Sequence, residues 1–251
     1  MSPLEISCLV FACVFGGGLL GLALRLVLPS HHLSTESKDL VKLGMGLVGT
    51  MAALVLGLLV ASAKGSYDTQ SSEVVQMSAN LMLLDRALAH YGPEAKETRD
   101  LLKMAASRML GQLWPPTTAA PASAEPRATG GEVLYDKLQA LSPQNDLQRA
   151  VQAQALSFGL AIGQTRWLLF EQRGSSLSMP LLIVVVFWLT IIFVSFGLFA
   201  PANGTVIATL FVCGLSVSGA LYLVLELDQP FSGLIRISDA PLRNAIAHLG
   251  E

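Results

Sequence analysis

The sequence predicts an all-α membrane protein, with four transmembrane helices and a cytoplasmic helical bundle inserted between the second and third. Three observations predict it. Hydrophobic residues make up 52% of the chain and charged ones only 14%, unevenly placed, which marks a membrane protein with a water-exposed part. Four stretches are apolar over the roughly 20 residues needed to cross about 30 Å of hydrocarbon. Between the second and third, apolar residues recur at spacings of three and four, the period of a helix with one buried face.

The first span is expected from Ile6 to Leu28, closed by Pro29, because proline cannot continue a helix comfortably. No basic segment precedes it, so it reads as a retained helix and not as a cleaved signal. The second runs from Leu40 to Ala63, the third from Ser178 to Phe199 and the fourth from Thr205 to Leu227. Ala200-Pro201-Ala202-Asn203 makes a tight, uncharged hairpin between the last two.

In the inserted segment, Val74, Met77, Leu81, Leu84 and Leu88 share one helical face. Gly92-Pro93-Glu94 turns the chain, with proline opening a second helix that carries Leu101, Leu102, Ala105, Met109 and Leu113. Pro115 to Gly131 holds almost nothing that could join a core and is expected to be a mobile loop. Leu134, Leu138 and Leu141 restart the pattern, and Leu147, Val151, Ala155, Phe158 and Ile162 continue it. An antiparallel bundle follows. The organisation expected is a helical hairpin over 1–63, a cytoplasmic domain over 64–177 with its loop at 115–131, a second hairpin over 178–227, and a cytoplasmic tail over 228–251.

Four crossings place both termini and the inserted domain on one side. Lys64, Arg166, Arg173, Arg236 and Arg243 lie near membrane ends on that side, while the second hairpin is uncharged. The positive-inside rule makes that side cytoplasmic. Arg25, Lys38 and Lys42 lie near the opposite face.

Most chemical signals dissolve on inspection. Gly44-Met45-Gly46-Leu47-Val48-Gly49 matches a dinucleotide-binding fingerprint, but it lies inside a membrane span with no preceding strand, so its glycines read as small packing residues. Cys8, Cys13 and Cys213 fall in apolar segments and read as small packing residues too. His31 and His32 lack companion ligands, and His90 and His248 read as solvated. Asp85 and Arg86 read as a solvated helix face. No nucleophile or carboxylate constellation supports catalysis, and neither a metal nor another cofactor is expected. The net charge of −2 with no basic stripe argues against nucleic acid as a partner.

Two segments carry more. In the second span, Gly46, Thr50, Ala53, Gly57 and Ala61 fall on one stripe about 80° wide, with Lys64 continuing it and Lys42 near its other end. Such a stripe either lets helices pack closely or lines a narrow pore whose lysines concentrate anions at the mouth. After the fourth span, Glu226 and Asp228 sit at the membrane boundary, Pro230 breaks the helix and Gly233 permits a turn. Asp239 is placed to cap a short interfacial helix begun near Pro241 and ended at Gly250.

Acidic residues followed by Pro230-Phe231-Ser232-Gly233 and Asp239-Ala240-Pro241-Leu242 resemble the segment after the last membrane helix of bestrophins. Together with Gly57–Asp68 and Leu84–Ala95, the tail is similar over nearly the whole chain to a bacterial family of bestrophin-like membrane proteins. Bestrophins are pentameric anion channels whose second membrane helix lines the pore. The resemblance therefore implies a homo-oligomer, favouring a pentamer, in the bacterial inner membrane, with the lipid bilayer and small inorganic ions as partners. It assigns the pore to Gly46, Thr50, Ala53 and Gly57. The tail lacks the dense acidic run that serves calcium in the animal channels, so calcium gating is not expected. The alternative is a membrane-anchored interaction protein whose bundle binds a cytoplasmic partner. A coupled transporter is less favoured, because the charges lie near span ends and not at mid-membrane.

Overall fold

A computed structural model describes residues 2–29, 35–115, 131–172 and 177–250, without the side chains at 36 and 37. Among the described residues helices are the regular elements, with no strand. The helices are α1 (Pro3–Val27), α2 (Thr35–Tyr91), α3 (Lys96–Leu113), α4 (Gly131–Gln139), α5 (Asp146–Glu171), α6 (Met179–Phe199), α7 (Gly204–Leu227) and α8 (Ala240–His248), with a 3-10 turn over Pro93–Ala95. Four of them, α1, α2, α6 and α7, are long and apolar enough to cross a membrane. The expected loop over 115–131 lies, but for its two end residues, outside the described residues, as do His31, His32 and Arg173.

The longest element is α2. It runs unbroken for 57 residues, where the sequence suggested a span ending at Ala63 and, beyond it, the helical face that begins at Val74. The stretch from Lys64 to Ser71 contains no proline and only one glycine, so nothing forces the backbone out of its hydrogen-bond ladder.

The chain divides into two compact units, one of residues 1–66 and 175–229 and the other of 67–174 and 230–251. In the first, α1 opens with a reciprocal cap, the Ser2 hydroxyl accepting the Glu5 N–H and the Glu5 carboxylate accepting the Ser2 N–H. It then packs on α6 backbone to backbone. A Cβ at Gly21 would overlap the Val194 carbonyl, and one at Gly197 the Gly18 carbonyl, so small residues set the approach. Val14, Leu59, Ala63, Val185 and Leu221 build the core of this unit, and Phe11, Phe15 and Phe211 form an aromatic cluster beside it. Arg25 donates to the carbonyl of Ala200 in the α6–α7 turn. The three cysteines are exposed on this chain and do not pack in its interior as their apolar surroundings suggested.

In the second unit, Val74, Met77, Leu81, Leu84 and Leu88 of α2 enclose a core with Leu102 and Met109 of α3, Leu134 and Leu138 of α4, and Ala155 and Ile162 of α5. Gly92 takes φ 125°, a left-handed value that suits glycine, and Pro93 starts the next turn. Asn145 caps α5 by accepting the Gln148 N–H at 2.8 Å. Leu147 departs from the expected pattern. It lies in the first turn of α5 and is 71% exposed.

Candidate functional site

The small-residue stripe lies along the part of α2 that belongs to the first unit. That stretch buries Ala52, Leu59 and Ala63, while Gly46, Thr50, Ala53, Gly57, Ala61 and Lys64 are all exposed. At 100° per residue the stripe is centred about 140° from the buried edge. Among the described residues, no atom beyond the local helix backbone lies within 4 Å of where a Cβ would stand on Gly46 or Gly57. The close packing that small residues permit is used instead by Gly17, Gly18 and Gly21 of α1 against α6 and α7, a pattern that the run of three glycines at 16–18 signalled. Beside the stripe runs a row of large apolar side chains, Leu40, Leu47, Met51, Leu54 and Leu58, also exposed among the described residues.

The polar groups of the stripe are modest. The Thr50 hydroxyl donates to the Gly46 carbonyl of its own helix at 2.9 Å. It therefore faces outward with its lone pairs and not as an unsatisfied donor. Lys42 stands 3.5 Å from Asp39, both side chains well exposed, so Asp39 offsets part of the positive charge expected at that end.

Within the first unit, Glu226 sits in the last turn of α7, only 4% exposed, where its carboxylate accepts the Tyr222 hydroxyl. Asp228 is the C-cap of the same helix. The rest of the tail motif belongs to the second unit. Pro230 is buried, and its carbonyl accepts the Ile237 N–H at 2.7 Å, closing a loop. Gly233 turns that loop at φ 80°, and its carbonyl accepts the Arg236 Nε at 2.7 Å. Phe231 meets Trp114 edge-on at 5.4 Å, and the Trp114 indole donates to the Ile237 carbonyl at 2.9 Å. Tyr67 donates to the Arg236 carbonyl at 3.2 Å. Sequence reasoning missed Trp114, at the end of α3, and Tyr67, midway along α2, whose only signal was their aromaticity.

Asp239 does not cap α8 with its side chain. Its carboxylate pairs with Arg243 one turn on, at 2.5 Å, while Ser238 accepts the Ala240 N–H. Pro241 stands in the first turn, where a missing N–H is harmless. Beyond α8, Lys103 donates to the Leu249 carbonyl at 2.8 Å, and the Gly250 N–H donates to Asp85 at 3.2 Å.

Asp85 is thus not the solvated charge that its sequence neighbour Arg86 suggested. It is 6% exposed and grips Arg99 in a two-pronged pair at 2.8 and 2.7 Å. Burial works to raise its pKa, but the Arg99 hydrogen bonds, the Gly250 N–H and the nearby guanidinium charges outweigh that and hold it below the usual carboxylate value. Arg99 is correspondingly pushed up, chiefly by its hydrogen bonds to Asp85. Among the described residues, no group of three histidines, cysteines or carboxylates could hold a metal ion.

A family model described as the bestrophin-like domain matches residues 12–242, a span that includes the stripe and the tail through Pro241. The chain belongs to the bestrophin-like domain family. No curated protein and no solved structure matches it. In this bestrophin-like chain the four apolar helices and the family together mark a membrane protein.

Proposed function

We propose that the chain is one subunit of a homo-oligomeric ion channel, preferring anions, with the membrane part of α2 lining the pathway. The observation that carries this reading is the stripe from Gly46 to Ala61. It is small and continuous, ends at Lys64, and is left exposed by the described residues of its own chain. Residues of this kind around a symmetry axis leave a narrow passage, and lysines at its ends raise the local concentration of anions. Membership of the bestrophin-like family supports a channel and favours a pentamer. The row from Leu40 to Leu58 then faces lipid or a neighbouring copy. The second unit and both termini lie in the cytoplasm of a bacterial cell, on the side of the basic residues flanking the spans.

One observation favours the alternative, a membrane-anchored interaction protein. The second unit contains a cavity of 1010 Å³ bordered by Leu102, Met109, Leu138, Ile162 and Trp167, large enough to receive a ligand or a partner's side chains. Two measurements separate the readings: the oligomeric state of the purified protein and its currents in a planar bilayer under anion and cation gradients. An anion-selective current from an oligomer supports the channel. A protein that stays monomeric, or conducts nothing under any gradient, removes it.

A further inference from the structure

We infer that the cavity of the second unit is a site for a single-chain zwitterionic amphiphile, a lysophospholipid with an amine head, its chain lying along α5. The cavity is lined by α3, α4 and α5, and its two ends differ. A Cβ on Gly159 would meet Leu138 at 3.0 Å, and one on Gly131 would meet the Arg166 guanidinium at 3.1 Å, so α4 runs antiparallel to α5. Lys137 reaches Glu97 at 2.8 Å, which sets the end of α4 beside the start of α3. One end of the cavity therefore holds Leu102, Leu138 and Gly159. The other holds Arg108, Gln112, Glu132, Arg166 and Glu171, where α3 and α5 finish and α4 begins.

Small residues, Ala105, Ala106 and Gly163, line the wall. Among the described residues, nothing beyond the local helix backbone stands within 4 Å of a Cβ on Gly163. A glycine inside a helix weakens it relative to alanine, and one that touches no neighbour leaves room for a ligand against the backbone. The wall of α5 from Gly159 to Glu171 is about 18 Å long, so an extended hydrocarbon chain fits along it. At the charged end stand the guanidiniums of Arg108 and Arg166 and the carboxylates of Glu132 and Glu171, with Asp136 one turn further along α4. Guanidiniums recognise phosphate in a fork. The carboxylates, with the rings of Tyr135 and Trp167 that also line the cavity, favour an ammonium group. A fatty acid suits the first set and meets the second as like charge, and an alkylammonium does the reverse. A head that carries both charges answers both. Seven residues, 172–178, separate α5 from α6 and span at most about 25 Å, a short tether between the charged end and a membrane span.

The test uses the full-length protein in lipid nanodiscs, titrated with lysophosphatidylcholine brominated on its chain, which quenches a tryptophan that it touches. Wild type is expected to show saturable quenching that is absent in Trp167→Phe. Half-saturation should rise about tenfold or more in Gly163→Leu, whose new side chain enters the cavity. It should not move in Gly111→Leu, which also has open space around it but lies outside the lining. Arg166→Gln should weaken the lysolipid and leave a brominated alkyltrimethylammonium unchanged, and that cation and a brominated fatty acid should each bind about tenfold more weakly than the lysolipid in wild type. Quenching that never saturates, or that is the same in Gly163→Leu, is partition into the bilayer and overturns the proposal. Equal binding of all three amphiphiles overturns the assignment of the head. A variant lacking residues 117–129 that binds about tenfold tighter shows that this segment of the chain competes for the cavity, and overturns it too. Conduction plays no part in the readout, so the result stands apart from the channel reading.

Discussion

At the scale of single residues, the same chemistry is used oppositely in different places. Gly21 of α1 is met by the backbone of α6, whereas Gly46 and Gly57 of α2 meet no neighbouring atom within 4 Å among the described residues. That contrast gives the sharpest test of the channel. A phenylalanine at Gly57 has open space around it in one subunit, so the fold should tolerate it, whereas around an axis it projects once per copy. Gly57→Phe is expected to abolish current while the oligomer still elutes at its native size. Lys64→Glu is expected to shift reversal potentials away from anion selectivity, since a ring of reversed charge changes the local ion concentration. If Gly57→Phe instead dissolves the oligomer, the stripe packs copies together and does not conduct.

Asp85 supplies a second residue-scale prediction. Asp85→Asn removes the counter-charge of a half-buried Arg99 and is expected to destabilise the protein by about 1–3 kcal/mol, read from thermal or urea unfolding. Because the folded pKa is depressed, the pair contributes fully above the unfolded carboxyl value, about 3.9. Its contribution is lost as pH falls through the lower folded value. Wild type should therefore lose stability on acidification in that window, and Asp85→Asn should lack that part of the loss.

Between elements, α1 and α6 illustrate how close approach without large side chains holds helices where lipid offers no hydrophobic drive. Gly21→Leu or Gly197→Leu pushes a side chain into a carbonyl and is expected to cost about 1–3 kcal/mol or more. Gly16→Leu, one residue before the contact and with nothing within 4 Å, should unfold at the wild-type midpoint in the same assay. The tail allows a gentler test. Trp114→Phe keeps a ring against Phe231 but removes the donor to the Ile237 carbonyl. Amide exchange should accelerate over Pro230–Ile237 and stay unchanged in α1 and α6.

For the molecule as a whole, the testable statements are topology and copy number. A reporter fused between Pro115 and Gly131 is expected to show a cytoplasmic location, following from the basic residues at Lys64 and Arg166. Periplasmic activity from that fusion would reverse the orientation and move Lys64 to the outer mouth. Mass measurement of the purified assembly should return five copies, and a monomer would leave the stripe with no axis to surround.

The apolar spans were legible because length and composition alone decide whether a helix can cross a bilayer. The bundle face from Val74 to Leu88 was legible because burial imposes a period on local sequence. The tail's punctuation at Pro230, Gly233 and Pro241 was equally open, since backbone constraints belong to the residue itself. Partners distant in the chain were not. That Asp85 meets Arg99 and Gly250, that Trp114 holds Ile237, and that Arg166 faces Gly131 depend on which helices come together. Local patterning records that a side chain is buried but not what lies opposite. The continuity of α2 was hidden for a related reason: a composition change from apolar to polar looks like a boundary, yet the backbone has no cause to break there. Tertiary structure also decided the use of the glycines, because only packing shows whether a missing side chain makes room for a neighbour or leaves a surface open.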